Sequence, residues 1–359
     1  EAVTENSEGW AELERARELK IPCINLFEAD GLAFNPYHLI AIAGTHGKTT
    51  TTAMRADIFE AAEKDPTVIV GSLRAKTKSN MRYGKSKYAI VEACEYKRDF
   101  LHLTPDVLVI TNIEHDHVDC FKNLGEVQDA FREFIGKVRE GGVIVTDTKS
   151  ATIMPVLEDC EHKVVDYREF LNLNITMKQP GMHNRLNAAA ALAVASIEKI
   201  STHTAQTAIE QFTGTWRRFE YKGECNGAPV YDDYAHHPTA IRLTVAAARE
   251  QYPGRRVVIA FQPHTYSRTA ALFEDFAKAL ATADRVVLLP IYGAREENVT
   301  GVSSRELAVK TLEHTRNVRF ATSREEAVED LQQTLTKDDV LVAMGAGKDI
   351  PSLAEELTK

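Results

Sequence analysis

Residues 39–54 read LIAIAGTHGKTTTTAM, and this order of residue types decides the fold. Leu39 to Ala43 form an apolar run, a glycine-punctuated turn follows, and Lys48 opens a Thr-rich stretch with helical character. That is the outline of a phosphate-binding loop: a buried strand, a turn of backbone N–H groups, then a helix N-terminus whose partial positive charge faces an anion. Gly44 and Gly47 let the backbone approach phosphate oxygens without an intervening Cβ. The whole turn, with Thr45, His46 and Thr50, then faces the phosphates of a nucleotide. Lys48 reaches the β/γ-phosphates and Thr49 offers a hydroxyl to Mg²⁺. Ile42 stands where the longer G-x-x-x-x-G-K-[ST] pattern has its first glycine, so only the shorter GTHGKT form remains. The competing reading is a strand–helix turn carrying a solvated lysine.

The length of 359 residues suggests two domains. A composition 44% hydrophobic and 26% charged rules out wholesale disorder, and a net charge of −9 argues against nucleic acid or an anionic membrane as main partner. No apolar run approaches the roughly 20 residues of a membrane span, and no signal peptide opens the chain. Five scattered cysteines without a CxxC read as reduced thiols, so a cytoplasmic location is expected. Residues 1–38 carry a helical WAELERARELK and an apolar IPCINLF read as a strand. They are too little for a domain and read as the remnant of one, with its connection.

From Leu39 onward, short β-branched runs alternate with helical ones. Strands are predicted at LIAIA, YAIVEA (88–93), DVLVITN (106–112) and GVIVTD (142–147), and helices over 49–63, 124–139 and 181–199. A second series starts near Gly227. It comprises APVYDDYA, RRVVIAFQP, RVVLLPIY, VRFAT and DVLVAMGAG, with helices over 238–251, 269–282, 303–313 and 323–335. Near-continuous apolar strands separated by helices indicate mostly parallel sheets covered on both faces. The join falls between Phe212 and Gly227, where glycines interrupt the pattern.

Ligands of open α/β sheets bind beyond the carboxyl ends of the strands. YAIVEA ends in Glu92, with Glu95 one turn on, and the next strand runs into TNIEHDHVD, with Glu114, His115, Asp116, His117 and Asp119. Carboxylate and imidazole at neighbouring strand ends suit Mg²⁺. The alternative for HDHVD is a solvated turn or a helix N-cap through Asp116. In QPGMHNRLNAAAA, His183, Asn184 and Asn187 fall in a helix's first turns, and the two amides share a face able to read an adenine edge. Helix capping explains them equally well. The second half brings Arg217 and Arg218 at the join, Asp232, Asp233, Tyr234, His236 and His237 in YDDYAHHP, and His264, Tyr266 and Arg268 in QPHTYSR. Two consecutive strand ends crowded with titratable groups read as a binding face.

AGTHGKTTTT, VEACEYKRDFL, TNIEHDHVD, GMHNRLNAAAA, RRFE, DDYAHHPTAIR, FQPHTYSRT and MGAG, in this order, resemble the Mur ligases. The resemblance implies a central P-loop-type ATPase domain with a mostly parallel sheet over 39–215, and a C-terminal Rossmann-like α/β domain over 216–359. It implies an ADP-forming ligation through an acyl phosphate, with UDP-N-acetylmuramate and L-alanine as substrates and ATP and Mg²⁺ as cofactors, in a monomer or weak dimer. By the same resemblance Lys48 holds the γ-phosphate, Thr49 and Glu92 one Mg²⁺, and His117 a second. His183, Asn184 and Asn187 lie along the adenine, and Arg218 and Asp233 approach the nucleotide. Tyr234, His236 and Arg268 orient the amino acid and the reacting carboxylate. A sister ligase for another amino acid or peptide, and a non-ligating nucleotide-binding regulator, remain as alternatives.

Overall fold

Two mostly parallel sheets, each sandwiched by helices, carry the chain. The structure, a computed structural model, describes residues 9–172 and 174–359. The first sheet contains β1 (His38–Ala43), β2 (Thr67–Arg74), β3 (Ser79–Arg82), β4 (Tyr88–Glu92), β5 (Val107–Ile110), β6 (Val143–Thr146) and β7 (Lys163–Asp166). Its spatial order is β3-β2-β4-β1-β5-β6-β7, and only the β2/β3 edge pair is antiparallel. The second contains β8 (Glu220–Cys225), β9 (Ala228–Asp233), β10 (Arg256–Phe261), β11 (Arg285–Leu288), β12 (Val318–Phe320) and β13 (Asp339–Met344). Its order is β12-β11-β10-β13-β9-β8, antiparallel only at β8/β9.

The central position of β1 is what gathers the site. Leu39 to Ala43 are fully buried between two layers of helix, as a doubly covered strand should be. In register, Ile42 pairs Glu92 of β4 and Ala43 pairs Ile110 of β5. The phosphate-loop turn therefore emerges directly between the ends of those two strands. In the second sheet Met344 of β13 pairs both Asp233 and Phe261, so the ends of β9, β10 and β13 also meet. Behind β1, helix Lys48–Ala61 packs on helix Met182–Ile197, whose alanines at 188–191, 193 and 195 allow close approach.

Several expectations need correction. IPCINLF is not a strand. Helix Leu26–Phe34 begins inside it, because Asn25 and Glu28 form a reciprocal capping box and Pro22 has no N–H for a ladder. The helix expected over 269–282 is two helices, Tyr266–Ala271 and Phe273–Leu280, which meet at Leu272 (φ −111°). Thr265, with φ +64°, caps the first by accepting the Arg268 N–H and so starts it earlier. Among the described residues no helix is long and apolar enough to cross a membrane.

Candidate active site

The ends of both sheets face one cleft of about 1200 Å³. On the first sheet's side the turn is built by its neighbours. Gly47 sits at φ +84°, where a Cβ would strike the Asn187 side chain, and a Cβ on Gly44 would strike Thr111 Oγ1. Asn112 clamps the turn from β5: its Oδ1 accepts the His46 N–H at 2.9 Å, its Nδ2 donates to the His46 carbonyl at 2.9 Å, and its carbonyl accepts the Thr45 N–H. Free donors for an anion are thus left to the first-turn amides of helix Lys48–Ala61, which have no intrahelical partner.

Lys48 is not solvated. Its Nζ donates to Glu95 Oε2 at 2.8 Å and Oε1 at 3.0 Å, and to the Gly44 carbonyl. Burial presses its pKa down, but the charge and hydrogen bond of Glu95 outweigh that and raise it, so Lys48 stays a cation. Thr49 Oγ1 donates to Glu92 Oε1 at 2.9 Å, and Glu92 Oε2 accepts the Gly71 N–H at 2.6 Å. His117, at φ +52°, brings Nε2 to 3.7 Å from Glu95 Oε1. Lys48, Thr49, Glu92, Glu95 and His117 therefore form one connected group.

The rest of TNIEHDHVD divides its work. Asp116 caps no helix; helix Leu124–Ile135 is capped by Asn123. Instead Asp116 Oδ1 accepts Arg268 Nε at 2.8 Å in a buried ion pair joining the two sheets' ends. Burial pushes the Asp116 carboxyl up, yet Arg268 holds it well below the usual range. Glu114 Oε2 accepts Thr239 Oγ1 at 2.7 Å, a second link across the cleft. Asp119 accepts the Tyr96 hydroxyl at 2.9 Å, while His115 turns away to the Phe121 carbonyl.

The capping reading of the asparagines fails, since Gly181 is the N-cap and no side chain caps that helix. Asn184 Nδ2 donates to the Pro180 carbonyl at 2.7 Å and Asn187 Nδ2 faces Asn184 Oδ1 at 3.4 Å. Both line the cleft beside His183. From the second sheet, Arg218 Nη2 reaches Thr49 Oγ1 at 3.4 Å and lies over the Tyr234 ring. Asp233 also lines the cleft, but its oxygens accept the Phe219 and Ala235 amides and so brace the Arg218 turn. Arg217 is a strut, paired to Asp232 at 3.0 Å. His236 Nδ1 approaches the Tyr234 carbonyl at 2.8 Å, and Arg268 Nη1 lies 3.1 Å from His264 Nδ1. Residues that sequence reasoning passed over are Asn112, Thr239 and Glu296. Asn112 stood in plain view at the end of DVLVITN, whereas nothing distinguishes Thr239. Glu296 accepts both the N–H and hydroxyl of Ser267 beside Arg268, from a loop without periodicity.

Four imidazoles in the cleft are held neutral. Burial, with the nearby charge of His46, lowers His183 and His237 to about 4; burial and Arg268 lower His264 to about 4 and His236 well below its usual value. Unfolded histidines titrate near ~6.5, so below that pH the unfolded chain takes up protons that the folded one refuses. Each unit of depression is worth about 1.4 kcal/mol, so the folded state is expected to lose several kcal/mol as pH falls from ~6.5 towards ~4. Asp232 opposes this: burial raises it to about 6, so its contribution is present at low pH and is lost as pH rises through that value. Urea midpoints at pH 7 and pH 5 measure the net effect. A midpoint unchanged or higher at pH 5 would contradict neutral, buried imidazoles.

Each half of the chain also resembles known proteins. The Mur ligase middle domain matches residues 42–169, and the glutamate ligase domain of Mur ligases matches residues 217–347. A UDP-N-acetylmuramate–L-alanine ligase of Agathobacter rectalis is 38% identical, covering 97% of this chain and 82% of its own. One from Caldanaerobacter subterraneus subsp. tengcongensis is 37% identical over 94% and 79%. The crystal structure of a UDP-N-acetylmuramate–alanine ligase from Thermotoga maritima superposes with a TM-score of 0.78 at 25% identity, covering 97% of this chain and 82% of that one. Since the two family models fall on the two halves that face the cleft, and the relatives align along nearly the whole chain, the chain belongs to the Mur ligase family.

Proposed function

We propose that the chain joins L-alanine to UDP-N-acetylmuramate in an ATP-driven, ADP-forming ligation of peptidoglycan precursor synthesis. One observation carries the reading: a phosphate loop on one sheet and a Tyr/His/Arg face on the other open onto the same cleft. The relatives that align along nearly the whole chain bear that activity in their names. A substrate carboxylate oxygen attacks the γ-phosphorus and ADP leaves. The amine of alanine then attacks the acyl carbon, phosphate departs with the oxygen, and one proton is released. Such chemistry needs clamped phosphates and balanced charge more than a protein nucleophile.

In this reading Gly44 to Thr50 wrap the phosphates and Lys48 leaves Glu95 to meet the γ-phosphate. His183, Asn184 and Asn187 wall the adenine, with Arg218 and Asp233 on the opposite side. Tyr234, His236 and Arg268 orient the amino acid and the carboxylate. The neutral state of His236 and the charge of Arg268 suit the binding of an anion beside an uncharged donor. Thr49 and Glu92 hold one Mg²⁺ and His117 a second; the hydroxyl and carboxylate oxygens 2.9 Å apart are the hard donors this ion prefers. When bound, it draws charge from the phosphate oxygens. The proposal divides the chain at 215/216 and carries with it a cytoplasmic monomer or weak dimer without nucleic-acid or membrane partners.

The test is phosphate release and product mass with UDP-N-acetylmuramate and a panel of L-alanine, glycine, L-serine, D-glutamate and an alanyl tripeptide. Strongest stimulation by L-alanine is expected; stimulation only by the tripeptide would assign a sister activity. Glu92→Gln keeps an acceptor for the Gly71 amide but removes the anionic ligand. It is expected to raise the Mg²⁺ concentration for half-maximal turnover about tenfold or more. A magnesium titration matching the parent chain would remove Glu92 from the metal set.

A further inference from the structure

Beside the Lys48 group, three further side chains from three segments converge in the cleft. His46 comes from the turn after β1, Glu114 from the loop after β5, and His237 from the loop after β9. Glu114 Oε2 lies 3.6 Å from His46 Nε2 and 3.7 Å from His237 Nδ1, and the two imidazole rings are 4.8 Å apart. One donor atom from each can be chosen so that all lie within 4.8 Å of one another. A second observation points the same way. His46 Nε2, which faces Glu114 at 3.6 Å, is enclosed and has no partner within hydrogen-bond distance among the described residues. Meanwhile the His46 backbone is fixed at both its amide and its carbonyl by Asn112, so its ring is presented to Glu114 by a rigid turn.

We propose that His46, Glu114 and His237 form a site for a transition-metal cation of the zinc class, separate from the oxygen donors Thr49 and Glu92, which ties the two halves of the cleft together. Two imidazoles and one carboxylate are a nitrogen-rich donor set that favours Zn²⁺ over Mg²⁺. Tetrahedral coordination with bonds of about 2.0–2.2 Å spaces its ligands by roughly 3.4 Å. Both separations from Glu114 Oε2 exceed that by only a few tenths of an ångström, and the third, between the two imidazole nitrogens, lies within 4.8 Å, so binding would draw the rings together. The Thr239 hydroxyl on Glu114 Oε2 at 2.7 Å would hold the carboxylate in place, as an outer partner of a metal ligand does. His237 Nδ1 now only weakly accepts the Thr239 amide, at 3.3 Å, and its lone pair can pass to the cation. The fourth position faces the cleft and would carry water. Because two ligands belong to the first sheet's loops and one to the second's, occupancy would hold the halves in the closed arrangement.

Co²⁺ is the probe, since its visible spectrum distinguishes four- or five-coordinate from octahedral geometry. Titration of the full chain without nucleotide is expected to give one equivalent of the low-coordinate spectrum. It should be displaced by one equivalent of Zn²⁺ and survive excess Mg²⁺. Glu114→Gln and His237→Gln should each weaken binding at least about tenfold, more than loss of an outer partner does. His203→Gln, at an exposed histidine on another face, should leave it unchanged. An absent or octahedral spectrum with the unaltered chain overturns the site, whatever the variants do. So does a sulfur-to-cobalt charge-transfer band, which would place the ion on cysteine, or parent-like affinity in both variants. None of these outcomes bears on the ATP chemistry, which phosphate release reads separately.

Discussion

Lys48→Ala is expected to lower ATP-dependent phosphate release by about 10³-fold, the loss of roughly 4 kcal/mol of charge stabilisation at the transferred group. It is also expected to lower stability, which the sequence alone would not suggest. A lysine on a solvent-facing loop can be removed at little structural expense. This one is largely buried against Glu95, which is only 2% exposed. Removing the ammonium leaves a buried carboxylate without its partner, a change that typically costs about 3–5 kcal/mol unless the carboxylate takes up a proton. Lys48→Ala/Glu95→Gln separates the two effects, because it removes the stranded charge without restoring the cation. Its urea midpoint should return towards that of the parent while phosphate release stays at the depressed level. Recovery of phosphate release in the double variant would mean that Lys48 serves only to neutralise Glu95, and the phosphate role assigned to it would fall.

The contrast between loop and partner shows what the sequence made legible. The order strand, glycine turn, lysine, helix is local, and local order survives translation into structure: β1, the turn and helix Lys48–Ala61 are where the residues place them. So too for β4, β5 and β6, which are apolar enough to be recognised without context. β2 carried the signal TVIVGSLR and was passed over. β8, with EYKGEC, carried none, since it is a polar edge strand held by β9 alone. Candidate residues at strand ends were readable by kind, because parallel sheets gather their ligands there. Which of them pair was not readable. Lys48 with Glu95, Glu114 with Thr239 and Asp116 with Arg268 are separated by between 47 and 152 positions, and only the closing of one sheet's ends onto the other's brings the last two pairs together. Asp116 stood in a dense motif that spacing assigned to metal, whereas the structure gives its carboxylate a guanidinium.

Arg268→Ala should therefore have a compound effect: unfolding free energy lower by about 3–5 kcal/mol, and ligation slowed by ~10²-fold or more. The guanidinium lies between Asp116 at 2.8 Å and His264 at 3.1 Å, and both it and Asp116 are nearly inaccessible. Without it, the largest influence holding the Asp116 carboxyl down is lost, burial pushes that carboxyl up, and one of the cleft's cross-sheet ties is gone. A strut and a substrate-orienting cation predict the same loss in the single variant. They part in the double one. Arg268→Ala/Asp116→Asn replaces the stranded charge with a neutral amide of the same shape, so a strut is largely repaired while a cation facing the reacting carboxylate is not. Urea unfolding should show most of the stability regained, and ATP affinity should stay within a few-fold of the parent. kcat/KM for UDP-N-acetylmuramate should remain low. If ligation returned together with stability, Arg268 would act only through Asp116. The substrate's carboxylate would then have to be met by the remaining polar groups of that face, His236 and Tyr234.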